Sequence, residues 1–366
     1  MASTEENRTI RLAAVGDLLV PCGPTGTEPP RDPRRTFAEI RPALADADVV
    51  LGNLECTLPG TGRMIATEPR VIATPEMVRA VAEAGFDVVS LANNHTFDCF
   101  REGFDRITRL LDELGVAYFG AGHDLAEAEA PAIVTVRGVR LALLGAVEER
   151  TGISHAAGEG AFGVARLDED RLAERIARLR GEVDHVIVCP HWGEERFDIP
   201  APGQIEQARR WIDAGAAMVV GHHPHVVQGL ECCDGRPVAY SLGNFAACEV
   251  PFTNGDAVTW TRTGRTGCLL TAEMTDRGVR NVVQTPTFDD GDVIRIDTSR
   301  FGRRRIAKVN RALARGVTLR RYRREHFRVK TVRPALGYLR WSKLRRLRPR
   351  QIRKAFAAMR QARRAE

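Results

Sequence analysis

Three of the nine histidines in this 366-residue chain, His222, His223 and His225, fall within four positions, and Pro224 stiffens the link between the last two. Imidazole is the commonest metal ligand among side chains, and small changes of surroundings move its charge across neutral pH. The apolar run Ala216–Val220 leads into them between Gly215 and Gly221. That pattern is a buried strand, with Gly221 freeing the backbone to turn. Four other strand-like runs end in comparable residues. They lead to Gly16-Asp17, to Gly52-Asn53-Leu54-Glu55, to Ala92-Asn93-Asn94-His95, and to Pro190-His191-Trp192-Gly193-Glu194-Glu195. The candidate ligands are therefore Asp17, Glu55, Asn94 with His95, His191, and His223 with His225. A mixture of carboxylate, amide oxygen and imidazole suits Mn²⁺, Fe²⁺ or Zn²⁺. A carboxylate can also bridge two such ions about 3.5–4 Å apart, the arrangement used on phosphate esters.

Each piece has a plainer reading by itself. Gly-Asp at a strand end caps a helix or turn. Asn-Asn-His suits left-handed backbone. His191 beside Trp192 fits a packed aromatic pair, and the three clustered histidines fit a polar turn bonded to backbone. Their order along one scaffold favours a shared site. The spacing predicts strands at Thr9–Val15, Asp48–Leu51 and Asp87–Leu91, separated by helices at Phe37–Ala45 and Pro75–Ala84. A helix Gly103–Leu114 and a short strand Val116–Phe119 follow. Ala132–Val136 and Val139–Ala146 form a hairpin around Arg137-Gly138. Helices Leu167–Leu179 and Pro202–Ala214 flank a strand at His185–Cys189. Beyond Val220 the strands Val226–Cys232, Pro237–Leu242, Leu269–Met274 and Val279–Thr285 follow with no helix between them. This predicts an α/β fold with a mixed sheet, or two packed sheets. In such folds ligands gather beyond the carboxyl ends of the strands, where all the polar motifs lie.

Charge divides the chain. From Arg300 to Glu366 there are 25 Lys+Arg and 2 acidic residues, leaving 29 basic and 45 acidic residues before it. The expected organisation is an acidic body, 1–299, and a basic, helical tail, 300–366. In the tail, Leu336, Leu339, Leu344, Leu347, Ile352, Phe356 and Met359 recur among arginines, with Tyr338 and Trp341, and Pro334 and Pro349 divide it. The pattern suits an amphipathic helix on anionic lipid or docking on the acidic body, with nucleic acid ranked third. No apolar run approaches the roughly 18 residues of a spanning helix. The polar start lacks the order of a secretory signal, so the expected location is cytoplasmic or peripheral at the inner membrane face. The eight scattered cysteines form no CxxC pair and read as free thiols.

Taken together, Gly16-Asp17, Asn53-Leu54-Glu55, Ala92-Asn93-Asn94-His95 with Asp98, His191-Trp192-Gly193, Gly221-His222-His223-Pro224-His225 and Ser241-Leu242-Gly243-Asn244-Phe245 resemble the CapA family. These are proteins of poly-γ-glutamate capsule synthesis, with a fold like the calcineurin-type metallophosphoesterases. The resemblance covers roughly Ile10 to Phe245 and is expected to continue to Thr285. It implies two packed mixed sheets flanked by helices (αββα) and one or two divalent ions. It also implies that Asp17 holds the first ion, Asn94 the second, and Glu55 the bridging position. His191, His223 and His225 complete the ligand set, and His95 acts as general acid. Asn53, Asn93, Asp98, Trp192, Glu194, His222 and Asn244 are expected as substrate contacts or supports for the ligands. Leu19 stands where the phosphoesterases carry an imidazole, and Glu55 where they carry an aspartate. The implied function is metal-dependent hydrolysis in making a γ-glutamyl or related anionic polymer. The alternative is an accessory protein that binds polymer and anchors to membrane synthase subunits.

Overall fold

Strand β1 (Ile10–Leu19) is buried at every position but Arg11 and organises the first of two large sheets. The computed structural model describes residues 8–22 and 29–334. Beside β1, the strands β2 (Val49–Leu54), β3 (Val88–Ser90) and β4 (Ala117–Phe119) follow in parallel. A second, six-stranded sheet contains β5 (Ala132–Val136), β6 (Val139–Val147), β7 (His185–His191), β8 (Met218–Val220), β9 (Leu230–Cys233) and β10 (Arg236–Ala239). Within it β6, β7, β8 and β10 run parallel, with β5 and β9 as antiparallel edges. The chain then returns to the first sheet. There β11 (Asn244–Ala247) pairs parallel to β1, and β12 (Thr266–Thr275), β13 (Gly278–Asp289) and β14 (Ile294–Ile296) extend it antiparallel.

Alternation along the strands builds the layers. Leu12, Ala14, Leu51 and Val88 face Leu141, Leu143, Ile187 and Val220 in a core between the sheets. Ala13, Val15, Val50 and Val89 point the other way. They meet Val78 and Val81 of α1 (Pro75–Glu83) and Phe104 and Ile107 of α2 (Phe100–Leu114). Helix α4 (Pro202–Ala214) contacts β8, and α3 (Glu169–Leu179) packs beside it. The order is helix, sheet, sheet, helix, as expected.

Several boundaries match the sequence reading, including the β5–β6 hairpin and α4. Of the helix expected at Phe37–Ala45 only the single turn Arg41–Ala45 forms, because Pro42 can open a helix but not continue one; a separate turn, Pro33–Thr36, precedes it. Strand β1 runs past its expected end at Val15, because Asp17 pairs with Asn53 on one side and Asn244 on the other. All eight cysteines are free thiols. Among the described residues, no helix is long and apolar enough to cross a membrane.

The change of charge after Ser299 is not the change of packing. One compact unit runs to Arg315 and a second from Gly316. Helix α5 (Arg300–Ala314) is capped by Ser299, and Gly302, Ile306, Val309 and Leu313 form its buried face. Its Arg305, only 6% exposed, donates through Nη2 to the Val227 carbonyl at 2.9 Å and lies 2.8 Å from Asp198 Oδ2. Lys308 Nζ reaches the same oxygen at 2.8 Å. In the second unit, α6 (Leu319–Phe327) has no buried residue. The leucines and aromatics expected to form the tail's apolar face lie outside the described residues.

Burial would raise the Asp198 carboxyl, but Arg305 and Lys308 outweigh it and hold it down at about 2. Its contribution to stability is complete above the ordinary aspartate value of about 3.9 and is lost as pH falls through about 2. Asp198→Asn is expected to flatten the loss of stability on acidification across that window. Unfolding curves of both proteins at stepped pH check it, and parallel losses would contradict the pairing.

Candidate metal centre

The parallel ends of both sheets open on one side, and buried polar side chains converge there. Asp17, Asn53 and Glu55 are fully buried. The β1–β2 register shifts between Ala14 and Asp17, and the β1–β11 register between Asp17 and Leu18. Such bulges re-aim side chains beside functional sites. Asp17 Oδ1 accepts from Asn53 Nδ2 at 2.8 Å, and Oδ2 accepts from His225 Nδ1 at 3.0 Å. The Asp17 amide donates to the Gly243 carbonyl at 2.9 Å. Gly16 is required by this approach, since a Cβ there would stand 1.8 Å from the Gly243 oxygen.

The turn after β8 sends three imidazoles in three directions. His223 has φ 92° and His225 φ 55°, left-handed conformations that side chains with a Cβ adopt under local constraint. His222 Nε2 meets the Val15 carbonyl at 3.2 Å, tying this turn to β1. His223 Nδ1 lies 3.1 Å from His191 Nε2. His225 Nδ1 faces two acceptors, Asp17 Oδ2 and Asn244 Oδ1, each at 3.0 Å. Its proton therefore sits on Nδ1, leaving the Nε2 lone pair for a ligand role. Asn244 is fixed in turn by donating to the Gly264 carbonyl at 3.0 Å.

His191 Nε2 is also 2.8 Å from Asn94 Oδ1 and 3.7 Å from Glu55 Oε1. The same Glu55 oxygen is 3.7 Å from His225 Nε2, and it is buried with no hydrogen-bond partner among the described residues. Two ligand groups share this carboxylate: Asp17, Glu55 and His225; and Glu55, His191 and His223. A buried carboxylate oxygen without a donor, among lone pairs that one hydrogen cannot all satisfy, fits a shared cation. Without a cation the cluster holds protons that a bound ion would displace. Burial, with Asp17 nearby, pushes the Glu55 carboxyl up. Burial and the neighbouring imidazoles push His191 well down, toward the neutral form that ligates. Burial opposes charge on His225, but Glu55 and Asp17 outweigh it and raise its pKa.

Beside this cluster His95 Nδ1 lies 2.8 Å from Asp98 Oδ2, which also accepts from the Val71 amide at 2.8 Å. Burial would lower His95, yet Asp98 raises it. Asn93 anchors the loop: its Nδ2 donates to the Leu54 carbonyl at 3.0 Å, and its Oδ1 accepts from the His95 amide at 3.1 Å.

The structure thus brings together Asp17, Asn53, Glu55, Asn93, Asn94, His95, Asp98, His191, His222, His223, His225 and Asn244. Trp192 sits behind the ligands, its amide donating to the His222 carbonyl at 3.1 Å. It is fully buried between Trp211 and Tyr240, with ring centroids at 5.4 and 6.0 Å, and Nε1 donates to the Tyr240 carbonyl. Adjacent residues of an extended chain point to opposite faces, so it cannot share the side His191 uses. Glu194 is half-buried in the following loop. The neighbouring Glu195 was missed as a candidate, although it groups with His223 and His225. The signal was a second carboxylate following His191. Trp260 was also missed. Its ring lies 5.3 Å from that of His225, with the Arg196 guanidinium 5.1 Å from its centre.

The molecule is a mixed α/β protein with a convergent carboxylate, amide and imidazole centre suited to divalent cations. Residues 11–248 match the family described as "Bacterial capsule synthesis protein PGA_cap", and the chain belongs to that family. It is 32% identical over 287 residues to the capsule biosynthesis protein CapA of Bacillus anthracis, covering 75% of this chain and 66% of that one. It is 31% identical over 253 residues to the PGA biosynthesis protein CapA of Bacillus subtilis (strain 168), covering 68% and 64%. The chain thus spans just under two thirds of the length of these relatives. Among solved structures it is similar to the NAD nucleotidase NadN of Haemophilus influenzae. That likeness has a TM-score of 0.43 at 12% identity, over 83% of this chain and 63% of that one.

Gly16→Ala tests the packing that carries Asp17. The forced shift is expected to cost at least about 1–3 kcal/mol in denaturant unfolding. It should also weaken retention of added Mn²⁺; a variant as stable and as metal-retentive as the parent would contradict the close approach of β1 to Gly243.

Proposed function

We propose that this chain is a divalent-metal-dependent hydrolase acting in the synthesis or release of poly-γ-glutamate or a related anionic polymer. The bond cleaved is a phosphate ester or a γ-linked amide. The observation that carries this reading is the buried Glu55 oxygen, without a hydrogen-bond partner among the described residues and shared between two ligand groups. Membership of a capsule synthesis family and the names of the CapA relatives support the polymer. Asp17, Glu55 and His225 would hold one ion, and Glu55, Asn94, His191 and His223 a second. When bound, the ion supplies Lewis acidity toward a phosphoryl or carbonyl oxygen and a more acidic water.

The protein's own groups supply the rest. Asp98 fixes the His95 tautomer and raises its proton affinity, so a protonated His95 can hand a proton from Nε2 to the leaving oxygen or nitrogen. Asn53 and Asn244 orient Asp17 and His225. Burial excludes bulk water from all of them. A second reading is polymer binding without turnover. Leu19, 2% exposed, supplies no ligand where the resemblance expects an imidazole, and this favours that reading. The basic segment beyond Arg315 would then meet the polymer, or synthase subunits at a membrane face.

Protein purified without chelator is expected to carry a divalent metal, and the double variant Asp17→Ala with His223→Ala to lose it. Unchanged metal content would sink the site. With Mn²⁺ added, a panel of phosphodiesters and γ-glutamyl peptides should reveal turnover that His95→Ala lowers by about 10²–10⁴-fold. Metal-loaded protein inert on the whole panel would leave the accessory reading. For the tail, deleting residues 316–366 should abolish co-sedimentation with anionic vesicles; undiminished co-sedimentation would exclude the membrane face as its partner.

A further inference from the structure

A cavity of about 400 Å³ lies where β11 continues past the metal centre, lined in part by Cys22, Arg31, Ala247, Cys248 and Arg265. Asn244, which touches His225, pairs with Asp17, while Ala247 at the cavity pairs with Leu19. Three steps along the strand separate them, roughly 10 Å. We propose that this cavity is an anion subsite that takes a carboxylate of an acidic chain whose reacting bond lies at the metal centre. Naming that chain as γ-linked glutamate rests on the function proposed above; the anion site does not.

The two arginines carry the inference. Arg31 is 6% exposed in its side chain, and its Nη1 and Nη2 lie 2.5 and 3.0 Å from the Asp289 oxygens. Asp289 also accepts from the Ala247 amide at 2.6 Å and the Gly291 amide at 2.9 Å. That carboxylate is therefore saturated, and it locks Arg31 in place. Yet Arg31 Nε is buried with no acceptor among the described residues. So is Nη1 of Arg265, whose side chain is 19% exposed. The carboxylate that Arg265 reaches belongs to Glu249, which is 3.7 Å away and 56% exposed. A buried guanidinium N–H without a partner is unfavourable, and a guanidinium matches a carboxylate in both charge and shape. Burial pushes the Cys248 thiol up to about 11, so no thiolate competes for the arginines near neutral pH. Pro30, Pro251 and Ala257 give the cavity apolar walls for the methylenes of the ligand.

Arg265 is the side chain to change, because Arg31 is built into the fold through Asp289. The probes are a γ-linked glutamate hexamer, the equivalent γ-linked glutamine hexamer, and glutarate, each titrated calorimetrically into the full chain. Arg265→Gln should weaken binding of the glutamate hexamer about tenfold or more, the scale of a charge-assisted hydrogen bond. Arg265→Lys should recover part of that loss, with metal content and unfolding midpoint unchanged. The neutral hexamer should bind weakly and ignore Arg265. Equal affinity of parent and Arg265→Gln for both acidic probes would overturn the subsite, as would an equal loss with the neutral hexamer. If the parent ignores the glutamate hexamer but binds glutarate through Arg265, the anion site stands and the polymer assignment fails. Binding of neither acidic probe overturns the site.

Discussion

The carboxylate of Asp17 lies inside the protein, on its central strand, and the rest of the structure answers that constraint. A buried carboxylate is tolerated only when paired and hydrogen-bonded. Asn53 from β2, His225 from the turn after β8, and the His225 support Asn244 from β11 meet this need. Two sheets are thereby joined through polar contacts at one edge, where their apolar core ends. The bulges in β1 and the absence of a side chain at Gly16 follow from bringing these strands together.

The same constraint explains the strained turn. His223 and His225 adopt left-handed backbone on either side of Pro224, so successive imidazoles diverge instead of sharing one face. One ring braces β1, one meets His191, and one grips Asp17. Strain of this kind persists where surrounding contacts over-determine it. Here they include α5, whose Arg305 donates to the Val227 carbonyl, two residues beyond His225. A strongly basic helix thus supports the site from behind.

The ligand-bearing strand ends were legible because each is a polar residue closing an apolar run, and because their order matched one known pattern. The amphipathic helices were legible from spacing, with Gly115 ending α2 in left-handed backbone as a C-terminal glycine should. Strand β11 was not. Gly243, at φ 69°, breaks the Ser241–Phe245 stretch, and only the tertiary pairing with β1 shows that a new strand begins at Asn244. Helix α5 was assigned to the tail because its arginines dominate the composition, while its five buried residues include a glycine and one of those arginines, Arg305. Trp192 backs the histidine turn through its amide bond to the His222 carbonyl at 3.1 Å, a contact that appears only once the end of β7 pairs with His222. The register that places Glu55 within reach of two histidines is a property of folded backbone, which residue types alone do not specify.

The central claim is that imidazole nitrogens and the Glu55 oxygen face a common cation. Pulsed electron paramagnetic resonance of the Mn²⁺-loaded protein addresses it directly. The account predicts nitrogen couplings from directly bound imidazole, reduced in His191→Ala and again in His225→Ala. A spectrum showing only water protons around the manganese, unchanged by either substitution, would contradict it.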